Sequence, residues 1–385
     1  MLVPKSFTDL ITFSRSSAGW HYNSAGVLVQ AGANIPRFDY DPVTRQPRGL
    51  LVEEGRTNLF RYSQQFDNTS WGISRGSISA NSAAAPDGTT SADKLIDGTT
   101  SGATYVYQAV SLTHVAHAVS IYAKAAELTR FRIRDFTDNH VSQEFDLISG
   151  VVSGVATGGM TGARMEALPN GWWRCSTIWT PATAGNHNLS PVELVADPAD
   201  GTSGLYVWGA QLEVGAFVTS PIATVGAQVA RSADIVQVQN MGPWFSGAEG
   251  TLVCAATTMG PSSDCTIVAA NNGTQNEQFD VRFGVTNILS RIRHSGVNEA
   301  QLVAIPGAPS AGQIYTIATA YRENDAAVAA NGRPPATDSQ VALPTGVSRF
   351  EIGSRTGTQF LNGHIRYLRY YPYRLSNAEL QALTA

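Results

Sequence analysis

Tyr105-Val106-Tyr107-Gln108-Ala109-Val110-Ser111-Leu112 alternates as a strand does, with Val106, Val110 and Leu112 in one register and Tyr105, Tyr107 and Ser111 in the other. A period of two marks a strand with one buried face, and no helix sustains it. Working outward, the runs at 118–125, 131–136 and 143–147 read as further strands, as do Trp172–Trp179 and 204–212. Turn clusters such as Pro86-Asp87-Gly88 and Pro169-Asn170-Gly171 separate them. Several short strands at this spacing predict a sandwich or jelly roll over 58–225.

Residues 226–385 repeat the style with new content. Strand-like runs fall at 251–256, 278–285, 315–321, 326–330 and 350–353, then at Gly363–Tyr371, with an Asn331-Gly332 hairpin signal between. Ser376-Asn377-Ala378-Glu379 is a capping box, followed by Leu380 and Leu383 on one face. It predicts one short terminal helix lying on a sandwich. Residues 1–57 contain two hairpin patterns, 22–29 with its Gly26 turn and 36–52 with its Asp41-Pro42 turn. This segment is too short and too charged to bury a core of its own, so it must pack on neighbours or on a partner chain. The expected architecture is all-β: a short N-terminal hairpin segment (1–57), two β-sandwich or jelly-roll domains (58–225 and 226–385) and one C-terminal helix.

The composition agrees. The chain has 385 residues, 36 Gly, 18 Pro, 13 Tyr, 14 Phe and 7 Trp, a turn-rich and aromatic-rich mixture that favours strands. Charged residues are only 15% and the formal net charge is −4, which excludes a general nucleic-acid footprint. No run approaches the roughly 18 apolar residues of a membrane span. The first 13 residues carry Lys5 but no apolar core, so no secretory leader is expected. Three scattered cysteines, Cys175, Cys254 and Cys265, suit a reducing compartment better than a disulfide framework.

Few constellations carry chemistry. Among the acids of the last domain only Glu323 and Asp325 share one strand face, and they flank Asn324 in a turn, so no catalytic residues and no enzyme are expected. His114 and His117 have the spacing of a helical metal pair but fall between strands, where a solvated loop is the simpler reading. The glycines at 150, 154, 158, 159 and 162 lack the Lys and the helix of a phosphate cradle. Trp172 and Trp173 must face opposite sides of one strand. The outward ring either stacks on a sugar or is covered by another subunit or by the N-terminal segment. The alternating charges from Arg37 to Arg56 read equally as a solvated hairpin or as a docking surface.

Three blocks carry a resemblance. Phe13-Ser14-Arg15-Ser16-Ser17, Pro36-Arg37-Phe38-Asp39-Tyr40 and 49–59 (Gly-Leu-Leu-Val-Glu-Glu-Gly-Arg-Thr-Asn-Leu) together resemble the N-terminal module of tailed-phage virion proteins. The run 62–71, with Ala85-Pro86-Asp87-Gly88-Thr89 and Gly209-Ala210-Gln211-Leu212-Glu213, resembles a carbohydrate-binding-module-like jelly roll. The tail from 361 to 380 is similar to the closing strand and helix of laminin-G/concanavalin A-like sandwiches. The resemblance implies a structural virion protein (a fibre, spike or minor tail protein) that is assembled in the bacterial cytoplasm and binds host surface glycan at adsorption. The alternatives are a glycan depolymerase and a purely architectural head or tail decoration. It implies a separable virion anchor around Arg37, Phe38, Asp39, Tyr40 and Arg56, with other virion proteins as partners and no membrane insertion. It also implies a homo-oligomer, a trimer by preference. Calcium enters on the same ground, with Asp197 and Asp200 as the oxygen donors to consider. Low charge makes uncharged polar and aromatic contacts, Trp172 or Trp173 first, the expected sugar contacts, with little salt dependence.

Overall fold

The computed structural model describes residues 7–138, 141–260 and 264–385. Lys5, weighed above as the basic residue of a leader, lies outside them. Among the described residues no helix is long and apolar enough to cross a membrane. Among the described residues the strands are paired antiparallel, with a single helical turn at Phe7–Leu10 and a C-terminal α-helix of two turns; the all-β class and the C-terminal helix are as the sequence reading expects.

The first sandwich packs two six-stranded sheets. One runs Val151–Ser153, Val141–Asp146, Arg130–Asp135, Gly185–Leu194, Tyr105–Leu112, Gly72–Ser74. The other runs Thr161–Ala167, Trp172–Trp179, His117–Ala125, Gly204–Val214, Thr90–Ile96, Ser77–Ala84. Between them lie Val106, Val110, Leu112, Ile121, Phe131, Phe145, Trp179 and Leu212. In Tyr105–Leu112 every second side chain is buried, which is the alternation that marked it as a strand.

The second sandwich packs two seven-stranded sheets, and the N-terminal segment is woven into both. Thr12–Ser14 forms one edge by pairing with Ile235–Val238. Phe38–Tyr40 and Pro47–Val52 extend the other sheet, with Leu50, Leu51 and Val52 registered against Ile365, His364 and Gly363. Leu50 and Val52 then share the core with Leu252, Ile267, Phe283, Ile317 and Ile352. The segment is therefore not a separable appendage: it has no core of its own because it contributes to the next domain's.

The terminal helix Asn377–Thr384 starts at Ser376, whose side chain accepts from the Glu379 N–H while Glu379 reaches back to the Ser376 backbone. Leu375 and Leu380 lie on a floor of Val253, Ala318, Ala320, Ala327 and Ala329. The small alanine side chains let the helix approach the sheet closely.

Candidate functional site

Where the three segments meet, five charged side chains are withdrawn from solvent. Arg15 and Arg37 hold Asp234 at 3.0 and 2.5 Å, while Arg37 and Arg231 hold Glu53 at 2.8 and 3.5 Å. The Ser220 backbone N–H and hydroxyl both donate to Glu53, at 2.7 and 2.6 Å. Burial alone would raise the Glu53 carboxyl, but Arg231, Arg37 and Ser220 outweigh it and hold it far below the ordinary range. Burial likewise opposes the Arg37 charge, and Glu53 with Asp234 more than restores it. Arg15, Arg37 and Glu53 come from the N-terminal segment, Arg231 and Asp234 from the linker to the second sandwich and Ser220 from the end of the first, so the cluster clamps these three parts together.

Beside this clamp opens a cleft of about 670 Å³. Its walls come from the N-terminal hairpins (Trp20, His21, Tyr22, Asp39, Asp41, Arg48), the first sandwich (Arg164, Glu166, Arg174, Ser176, Thr219, Ser220) and the second (Thr257, Thr258, His364, Arg366). Arg48 gathers the acids: Glu166 at 2.8 Å, Asp41 at 3.1 Å and Asp39 at 3.8 Å. Asp39 also accepts from the Tyr22 N–H and meets the His364 Nε2 at 2.8 Å. His21 presents a buried Nδ1 with no hydrogen-bond partner, and its burial lowers its basicity against the pull of Asp39. Chemically the cleft offers half-buried aromatic surface, hydroxyls and both signs of charge, in a volume that suits a small polar molecule or a few sugar rings.

The residues singled out from sequence are placed differently. Arg37 is 0% exposed, and Asp39 and Arg56 are buried as well, with Arg56 against Glu54 and over the Phe217 ring. These three are corrected from a docking surface to internal fastenings. Phe38, 45% exposed, and half-buried Tyr40 remain at the surface of the segment. Trp172 is 2% exposed: it faces outward from its sheet, but the N-terminal hairpin Gly19–Tyr22/Leu28–Ala31 covers it with Tyr22 and Leu28. Its indole N–H donates to the Ala84 carbonyl. As a sugar platform Trp172 is corrected, because no face of the ring is free. Trp173 points into the first core and donates to Leu147 O, with Gly150 seated on its ring. Asp197 accepts from Ser101 and Gly102, and Asp200 closes its own turn onto Thr202 and Ser203. Neither joins a cluster of three or more His, Cys, Asp or Glu, and no such cluster exists among the described residues.

Other motifs resolve into local structure. His114 bonds Pro181 O from the loop, whereas His117 bonds Val115 O and is the buried first residue of the strand His117–Ala125, not part of a solvated loop. Asp325 pairs with Arg322 and Arg374 at the hairpin turn. The three cysteines are buried and unbridged, with the Cys254 and Cys265 thiols pushed up to about 12 by burial. Sequence reasoning missed Trp20, Arg164, Glu166 and Arg174. The available signal was the polar set Arg164, Glu166, Arg174 and Ser176, which alternates with core residues on two neighbouring strands.

No family model and no curated protein matches the chain. Among solved structures it is similar to the Ruminococcus gnavus IT-sialidase CBM40 bound to α2,3-sialyllactose, at 22% identity and a TM-score of 0.32, covering 36% of this chain and 84% of that one. It is also similar to part of the NanB sialidase of Streptococcus pneumoniae, at 18% identity and 0.32, covering 37% of this chain and 25% of that one. Mouse laminin α1 chain domains LG4–5 align over 71% of this chain and 88% of theirs, at 11% identity and 0.28. Similarity at this level carries neither a site nor a ligand from those proteins to this chain.

Proposed function

We propose that this chain is a non-catalytic, glycan-binding structural component of a tailed-phage virion, and that the cleft between its three segments is the sugar site. The cleft carries the reading. Sugars present apolar CH faces and rings of hydroxyls, and this cleft opposes them with half-buried Trp20, the exposed Thr44 and Gln46 and the unsatisfied His21 Nδ1. The virion role is supported by the N-terminal resemblance. In that role the exposed Phe38 and Tyr40 edge meets other virion proteins, and several copies, three by preference, add weak sites together.

The test is a glycan array with the full chain, followed by incubation with the polysaccharides bound and a measurement of new reducing ends. Binding without new ends, weakened by Trp20→Ala and not by Tyr373→Ala on the far domain's surface, is expected. New reducing ends would make the chain a depolymerase. Labelling of assembled particles that leaves this chain absent would remove the virion role, and a monomer in sedimentation at micromolar concentration would remove the trimer.

A further inference from the structure

Glu166 and Arg174 occupy directly opposed positions on the neighbouring strands Thr161–Ala167 and Trp172–Trp179. Opposed side chains on one face of an antiparallel pair stand about 5 Å apart at Cβ, the ordinary setting for a cross-strand ion pair. That pair does not form. Glu166 turns instead to Arg48, which the N-terminal hairpin brings in at 2.8 Å. Arg174 is left with only neutral partners: Nη2 donates to Ser120 Oγ and to Thr219 O, and the buried Nε has no hydrogen bond. Among the described residues no carboxylate forms an ion pair with it.

Two more arginines line the same cleft, and both are exposed. Arg164 lies two residues before Glu166 on the same outer face and is exposed, with no ion pair among the described residues. Arg366 donates to the Pro47 carbonyl and forms no ion pair among the described residues. The cleft is thus divided: its acids crowd around Arg48 at one end, while Arg164, Arg174 and Arg366 form no ion pair among the described residues, and Arg174 feels Glu166 and Glu213 only beyond ion-pair distance. A half-buried guanidinium that lacks an anion binds one from a ligand more strongly than a solvated surface charge does.

We infer that the cleft takes an acidic oligosaccharide, with an anionic group of one sugar (a uronate carboxylate or a sulfate ester) seated on Arg174 and flanked by Arg164. This rests on the glycan reading and narrows it. The chain's low overall charge still gives no long-range pull, so the preference is a short-range one, set inside the cleft. Arg48 is a positioning residue here: by holding Glu166 it keeps Arg174 open.

The experiment is titration calorimetry with three probes, a galacturonate trisaccharide, its methyl ester and a sulfated galactose oligomer. The acid is expected to bind the native chain at least tenfold tighter than the ester. Arg174→Gln should lose roughly that factor for the acid and leave the ester unchanged, and Arg164→Gln should lose a smaller part. Arg48→Ala frees Glu166 to swing onto Arg174, so acid binding should fall, and Glu166→Gln added to it should restore the binding. Binding of the sulfated oligomer but not the uronate would identify the sulfate ester as the anion. Equal affinity for acid and ester, or acid binding indifferent to Arg174→Gln and Arg164→Gln, overturns the inference and leaves the glycan reading standing. If neither these probes nor any array glycan binds, both fall together. Should Arg174→Gln fail to fold, the Arg164 and Arg48 variants, at the cleft's surface, decide the matter.

Discussion

Arg37 and Asp234 stand 197 residues apart in the chain and meet at 2.5 Å with neither side chain exposed. Asp234 also accepts from Arg15 and from the Glu53 backbone N–H, so one carboxylate fastens three pieces of chain. A buried charge tied this way is costly to strand, because its partners lose their counter-charge without regaining water.

Asp234→Ala is therefore expected to lower stability by about 3–5 kcal/mol, the range for breaking a buried ion pair from one side. Chemical denaturation of the variant against the native chain measures this. A loss under about 1 kcal/mol, the range of exposed pairs, would show that the clamp is not energetically coupled.

Starting the chain at Asn58 is expected to unfold the second sandwich. That cut removes Thr12–Ser14, Phe38–Tyr40 and Pro47–Val52 from its two sheets, takes Leu50 and Val52 from its core, and leaves Asp234 and Arg231 without Arg37 and Glu53. Limited proteolysis should find 226–385 cleaved and the first sandwich resistant. A soluble chain with the native melting temperature in both domains would contradict this.

Acid should loosen the junction. Glu53 titrates lower when folded than its ordinary value near 4.5, so its contribution is complete above that pH and is lost as pH falls below it. Denaturation midpoints from pH 7 down to pH 3 should fall for the native chain. Glu53→Gln, weaker at neutral pH, should show a flatter profile. Parallel profiles would remove Glu53 as a source of the acid sensitivity.

Trp172→Ala should cost about 3–5 kcal/mol through the cavity it opens between the N-terminal hairpin and the sheet. Its fluorescence should resist acrylamide, as a ring 2% exposed must. A Trp172→Ala chain with the native unfolding midpoint but no sugar binding would return the ring to a ligand role.

Much of the fold was legible because its signals are local. Tyr105–Leu112, Trp172–Trp179 and Gly363–Tyr371 were readable to the residue from a period of two and the turns around them, and the last helix from its capping box. The two faces for Trp172 and Trp173 follow from strand geometry alone. What covers the outward face does not, because Tyr22 and Leu28 reach Trp172 from far along the chain. Nor could Asp39 reveal its meeting with His364, 325 residues away, or Leu50 its registry with Ile365. Local chemistry determined where strands and turns form. Only the tertiary structure decided which of them pair, which charges are withdrawn from water and where a cleft stays open, since those outcomes depend on contacts between segments that carry no mark of one another.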